Sequence, residues 1–349
     1  MPDINSEYRK RFLRRQALFE SRYRDIFDQV AKQFAELANN PNAKFTKAFR
    51  FPPVIQRRID GIIKDFHGEL LAITEDEIIR SWDLSNEKND KIVSNYLKAI
   101  TEIKAAQNAA YYMPNLRALR SFISRKSDAG TLSDAVWKIA KQLRAEMEVH
   151  LGIGIMNGDS AQIISQRIRQ YLNNPDALFR RVRDKNGKLV PSKRMQDYHP
   201  GQGVYRSAYK NAMRLSRTET NSAYRTADSL RWQQLDMVKG IEIKLSASHP
   251  HYDFPEICEE LAGIYPKDYV FIGNHPHCLC YAVPVLSSKE DFRNYLKTGI
   301  KEKNKMIRDY PPKFKEFWQA NYERYMNYKT MPWIMEANLE AIKKVVNKQ

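Results

Sequence analysis

All three cysteines of this 349-residue chain, and four of its seven histidines, fall between residues 249 and 280. The cluster reads His249, His251, Cys258, then His275-Pro276-His277-Cys278-Leu279-Cys280. Thiolate and imidazole are the donors that zinc takes in closed, four-coordinate tetrahedral sites. Cys258, His275, Cys278 and Cys280 make a Cys3His set, with His249, His251 and His277 as alternative ligands. A set that uses every cysteine leaves no open position for water, so a metal here would be structural rather than catalytic. Cys278-Leu279-Cys280 is tighter than the usual Cys-x-x-Cys, and three buried apolar thiols without metal fit the same residues. Both readings stand at this level.

A site of this kind needs a small, rigid frame. Residues 241–245 (IEIKL) alternate with period two and predict a strand leading into the cluster, and residues 269–272 and 280–285 predict two more. The cysteines and histidines would then sit in the turns of a small sheet. Ahead of it, residues 204–236 carry Tyr205, Ala208, Ala212, Leu215, Ala223, Ala227, Leu230 and Trp232 at helical spacing, with Gly240 beyond the helix end.

Elsewhere the pattern is helical. Phe12, Leu13, Leu18, Phe19, Tyr23, Phe27, Val30, Ala31 and Phe34 form one apolar stripe, stopped by Pro41. A second helix is predicted from Pro53 through Leu71, and a third from Thr74, where Thr-Glu-Asp-Glu resembles a capping box. Residues 89–112 and 132–151 continue the helical period, as do 161–173, 287–307, 313–328 and 335–347. The three glycines of residues 152–158 read as a helix break and boundary; the Gly-x-Gly within them lacks the preceding strand and the lysine of a nucleotide loop. The expected fold is mainly α with a small α+β module. Three regions follow: 1–151 helical and suited to docking, 152–286 with the basic segment and the Cys/His cluster, and 287–349 a basic helical tail.

The formal charge is +17, and residues 161–240 hold sixteen Lys and Arg against six Asp and Glu. Such a surface favours a polyanion, with nucleic acid first and an acidic protein surface second. The densest run is Arg180, Arg181, Arg183, Lys185, Lys188, Lys193 and Arg194, around an Asn186-Gly187 turn that predicts an exposed hairpin. These side chains would be sequence-independent phosphate contacts. No apolar run is long enough for a membrane span or a leader, and three cysteines cannot pair completely, so a cytosolic product is expected.

Residues 214–286 carry Arg217-Thr218-Glu219, Ala223, Ala227 and Trp232, then Leu261-Ala262-Gly263, then His275-Pro276-His277-Cys278-Leu279-Cys280 and Ala282-Val283-Pro284-Val285. This order resembles the phage Mu F-like family of minor head (head-morphogenesis) proteins. The family pattern is Arg-Thr-Glu, Asp-x-x-Cys-x-x-Cys…Gly and His-Pro-x-Cys-Arg-Cys. Here Pro255 stands at the first cysteine of that pair and Leu279 at the arginine. The resemblance implies a non-enzymatic structural protein of a tailed-phage virion, made in the host cytoplasm and present in several copies in an assembly. Its implied partners are portal and capsid proteins and, non-specifically, DNA, with no membrane; the implied metal is a structural zinc. Arg217 and Glu219 would lock their helix against the cysteine-bearing sheet. The competing expectation is an enzyme, either a metal-dependent nuclease using His249, Asp253, His275 and His277 or a toxin-like effector.

Overall fold

Apolar residues repeated every three to four positions force the first helix, α1 (Ile4–Glu36), to bury one stripe. Tyr8, Phe12, Phe19, Tyr23, Phe27, Val30 and Phe34 are buried, while Leu13 and Leu18, which the sequence places on that stripe, are exposed. The computed structural model describes residues 3–40, 51–98, 100–127, 130–173, 182–190, 206–247, 249, 256–275, 278–300, 306–328 and 331–347. The architecture is mainly α, with a three-stranded antiparallel sheet in the C-terminal third and helices after it. No described helix is long and apolar enough to cross a membrane.

Helix α2 (Pro53–Leu97) is continuous through the position where a new helix start is predicted. Thr74 does not cap: its buried hydroxyl donates to the Leu70 carbonyl four residues back, 2.6 Å away. Two short helices follow, α3 (Ala105–Tyr111) and α4 (Leu116–Ile123), and then α5 (Leu132–Asn157). Thr131 and Asp134 cap α5 reciprocally. The helix runs through Gly152 and Gly154 and stops only at Gly158, which takes the left-handed conformation at φ 67°. Gly154 serves packing, since a Cβ there would lie 2.3 Å from the Ile164 side chain of α6 (Ala161–Asn173). A pair of two-residue strands, β1 (Val182–Arg183) and β2 (Leu189–Val190), then makes the expected hairpin, and α7 (Ala208–Gln234) follows.

In the sheet, β3 (Val238–Lys244) is central, pairing with β4 (Gly263–Pro266) and β5 (Tyr281–Leu286). A short helix, α8 (Ile257–Glu260), precedes β4. The strand expected at 269–272 does not form, because its backbone is claimed elsewhere. Val270 exchanges two hydrogen bonds with the Asn338 side-chain amide, at 2.8 and 2.9 Å, and the Ile272 carbonyl accepts from Arg225. Helices α9 (Lys289–Thr298), α10 (Pro312–Met326) and α11 (Trp333–Val346) end the chain. Ser288 caps α9, and Gly299 stops it short of the expected end near residue 307.

The chain divides into two compact units, and α1, α2 and α7 each contribute residues to both. One comprises Met1–Arg14, Glu77–Ile123 and Arg217–Gln349. Its core includes Trp232, Tyr265, Phe271, Phe314 and Trp318 together with all three cysteines. The other comprises Arg15–Asp76 and Ser124–Ser216, with the basic hairpin. Within the first unit, α2 and α7 meet along a polar seam. Arg231, fully buried, donates to Asp90, Asn86 and the Tyr111 and Met113 carbonyls. One turn back, Asp228 accepts from Lys88, Ser85 and Asn89.

Candidate metal centre

Two segments deliver the thiols. Cys258 lies on α8, Cys278 and Cys280 lie in the segment just before β5, and all three are buried and unpaired by disulfide. The Sγ atoms of Cys258 and Cys278 are 3.8 Å apart. Zinc–sulfur bonds of about 2.3 Å at a tetrahedral angle put two sulfurs about 3.8 Å apart, so this pair already stands at the spacing a shared ion requires. His275 Nε2 is 3.1 Å from the Cys258 sulfur, within about half an ångström of the corresponding nitrogen–sulfur edge.

Two donor triads result, Cys258–His275–Cys278 and His249–Cys258–Cys280, each with its ligand atoms within 4.8 Å of one another. Cys258 belongs to both. The buried His/Cys cluster can hold a metal ion. His249, which the sequence offers as an alternative ligand, is buried beside the Glu256 and Glu259 carboxylates, each 3.7 Å from its Nε2. At that range the carboxylates lie beyond hydrogen-bond distance of the ring and give His249 an acidic surrounding. His251, His277, Asp253 and Pro255 lie outside the described residues.

The thiols are electrostatically unequal. Hydrogen bonds from Cys258 and Cys280 pull the Cys278 thiol far below its ordinary range, with the Arg225 cation acting the same way. Cys258 is driven up by hydrogen bonding to Cys278, then to Cys280, and by burial. Cys280 is pushed up to about 11; its bond with Cys258 acts to lower it, but Cys278 and burial together outweigh that. A divalent ion bound here would displace the protons of the thiols it takes as ligands.

The residue that organises the cluster is one the sequence reading passed over. Arg225 of α7 is buried, and its guanidinium donates to the carbonyls of Ile272 at 3.0 Å and of Cys278 and Cys280 at 2.6 Å each. Those bonds set the turn that aims both sulfurs inward. Gly273 permits the approach: its φ is 111°, and a Cβ there would stand 2.4 Å from Arg225 Nη1. The Gly273 carbonyl also accepts from the Trp333 indole at 2.7 Å. Arg217 and Glu219 are half-buried on α7, two turns before Arg225. Arg225 links α7 to the cysteine loop. A signal existed in the sequence, since Arg225 falls between Ala223 and Ala227, both buried, on a helix that must face the sheet.

In the second unit, Arg183, Lys185 and Lys188 are exposed on the hairpin. The Asp184 carboxylate accepts from the Asn186 and Lys188 backbone amides at 2.9 Å each, and Gly187 takes φ 77°, which fixes the turn. Arg180, Arg181, Lys193 and Arg194 lie outside the described residues.

Comparison with protein-family models, with curated protein sequences and with solved structures found no match to this chain.

Proposed function

We propose that this chain is a minor head protein of a tailed bacteriophage, a structural component that associates with the portal and with packaged DNA during capsid assembly. In this reading the Cys/His cluster is a structural zinc clasp. The observation that carries it is the meeting of two distant blocks of the Mu F-like pattern. Arg225, within the block from Arg217 to Trp232, binds the carbonyls of Cys278 and Cys280 in the His-Pro-x-Cys-x-Cys block. Cys258, Cys278 and Cys280 supply three thiolates, and His275 or His249 completes the tetrahedron. The exposed cations of the hairpin supply phosphate contacts.

Co-expression with the portal protein of the same phage tests the assembly role: a stable complex is expected on size-exclusion chromatography, and separate elution defeats the reading. Incubation with plasmid DNA and Mg²⁺, Mn²⁺ or Zn²⁺ is expected to leave the plasmid intact, and cleavage lost on His275→Ala would replace the structural role with a nuclease. The clasp has its own test. Elemental analysis is expected to find one zinc per chain, and chelation to lower the thermal midpoint, because metal-binding free energy is folding free energy. Well under one zinc per chain removes the clasp.

DNA binding carries a quantitative expectation. Changing Arg183, Lys185 and Lys188 together to glutamine should weaken binding equally for all sequences and reduce the slope of log K against log salt by about 3, at about 0.9 per phosphate contact. An unchanged slope in a filter-binding titration would place the contacts elsewhere.

A further inference from the structure

Beneath the start of α1, within the first unit, lies a cavity of about 40 Å³ that the Cys/His reading leaves unused. Its wall carries three cations, Arg9, Lys88 and Arg225, against one carboxylate, Asp228. Asp228 is already matched by Lys88, with both side chains about 95% buried. Among the described residues the two arginines hydrogen-bond only to neutral groups. Arg225 spends its Nη atoms on three carbonyls. Arg9 donates through Nη2 to the Ser246 hydroxyl and the Leu279 carbonyl, 2.8 Å each, and lies over the Tyr281 ring. Its Nη1 and Nε have no protein acceptor among the described residues.

We propose that this cavity binds one small planar oxyanion of the carboxylate type, held by the unused edge of the Arg9 guanidinium and neutralising the arginine pair. Two guanidiniums sharing one wall are unfavourable without counter-charge for both. Burial first and then Arg225 push the Arg9 pKa down, against Tyr281 and Cys280, so the two cations lie within electrostatic reach of each other. A divalent ion on three thiolates carries one net negative charge, which leaves one of the two cations still unmatched. The planar fork of arginine selects a planar, bidentate acceptor. The volume selects size: about 10–15 Å³ holds one water, so this cavity has room for about three or four heavy atoms.

The test uses the full-length, metal-loaded chain at constant ionic strength, titrated with sodium formate or sodium acetate against a bulky sulfonate as the balancing anion. Calorimetry is expected to show saturable binding of one formate or acetate per chain with a rise in thermal midpoint, and little response to sulfate. Arg9→Gln is expected to weaken formate binding at least tenfold while zinc content stays unchanged. Should that variant fail to fold, the size series on the unaltered chain decides alone. Absence of saturable binding, a response equal for sulfate and formate, or full affinity in folded Arg9→Gln overturns the proposal. None of these outcomes touches the assembly role, which is read from the portal complex.

Discussion

Asp228→Ala is expected to lower the unfolding free energy by about 3–5 kcal/mol, the cost of stranding a buried charge. Lys88 is 3% exposed and Asp228 5%, so the Lys88 ammonium left behind has no water to turn to. Burial already pushes the Lys88 pKa down, and the Asp228 carboxylate is what opposes this. Asp228 also receives the Ser85 hydroxyl and the Asn89 amide at 2.7 Å each, and Asn89 in turn accepts from the Trp232 indole at 2.8 Å. Removing the carboxylate therefore orphans three donors on α2 at once and loosens the side chain that orients Trp232. The paired change tells the two contributions apart. Lys88→Met with Asp228→Leu removes both charges and keeps apolar volume, and replacing a buried pair in this way is often neutral or stabilising. Urea unfolding should find the double variant at least about 2 kcal/mol more stable than Asp228→Ala. Equal losses in the two would mean that packing, rather than charge, holds this seam.

Why the sequence discloses some of this and conceals the rest follows from the range of the interactions. Helical stripes are local, so Ile55, Ile59, Ile63, Phe66 and Leu70 are readable from their spacing and are buried as that spacing demands. Helix ends are less legible. Thr74 has the residue types of a cap, and only the tertiary burial that keeps its hydroxyl on Leu70 shows that the helix continues. Residues 269–272 have the side chains of a strand, yet Asn338, nearly seventy positions later, takes the backbone bonds a ladder would need. The site divides along the same line. Cys258, His275, Cys278 and Cys280 announce themselves because their chemistry is rare in the chain. Arg225, Lys88 and Arg231 are three among fifty-eight basic residues, and nothing in their spacing separates a buried structural cation from a surface one.

The second large effect is a pH dependence built into α5. Glu146 and His150 stand one turn apart, both buried, and both are held neutral in the folded chain near neutrality. Burial raises the Glu146 carboxyl to about 8 from an ordinary 4.5, against the opposing bonds it accepts from the Ala208 backbone amide at 2.9 Å and the Gln142 amide at 2.9 Å. Burial lowers His150 to about 4 from 6.5, with the Arg167 cation adding to the effect. Stability rises with pH wherever the unfolded chain binds more protons than the folded one, and falls where it binds fewer. Between pH 4 and 6.5 the unfolded chain carries the extra proton on His150, so this group makes stability climb. Between 4.5 and 8 the folded chain carries the extra proton on Glu146, so that group makes it fall. The two slopes cancel from about 4.5 to 6.5, and Glu146 acts alone above, costing about 2 kcal/mol between pH 6.5 and 8 at 1.36 kcal/mol per unit. Glu146→Gln keeps an acceptor for the Ala208 amide and removes the titration. Its stability should climb to about pH 6.5 and then hold level, overtaking the parent chain by an amount on the order of 5 kcal/mol above pH 8. The difference between the two unfolding curves, measured by urea titration at half-unit steps from pH 4 to 9, isolates the group from every other titration. A difference that does not grow across that range would mean that Glu146 ionises at its ordinary value and that water reaches the start of α7.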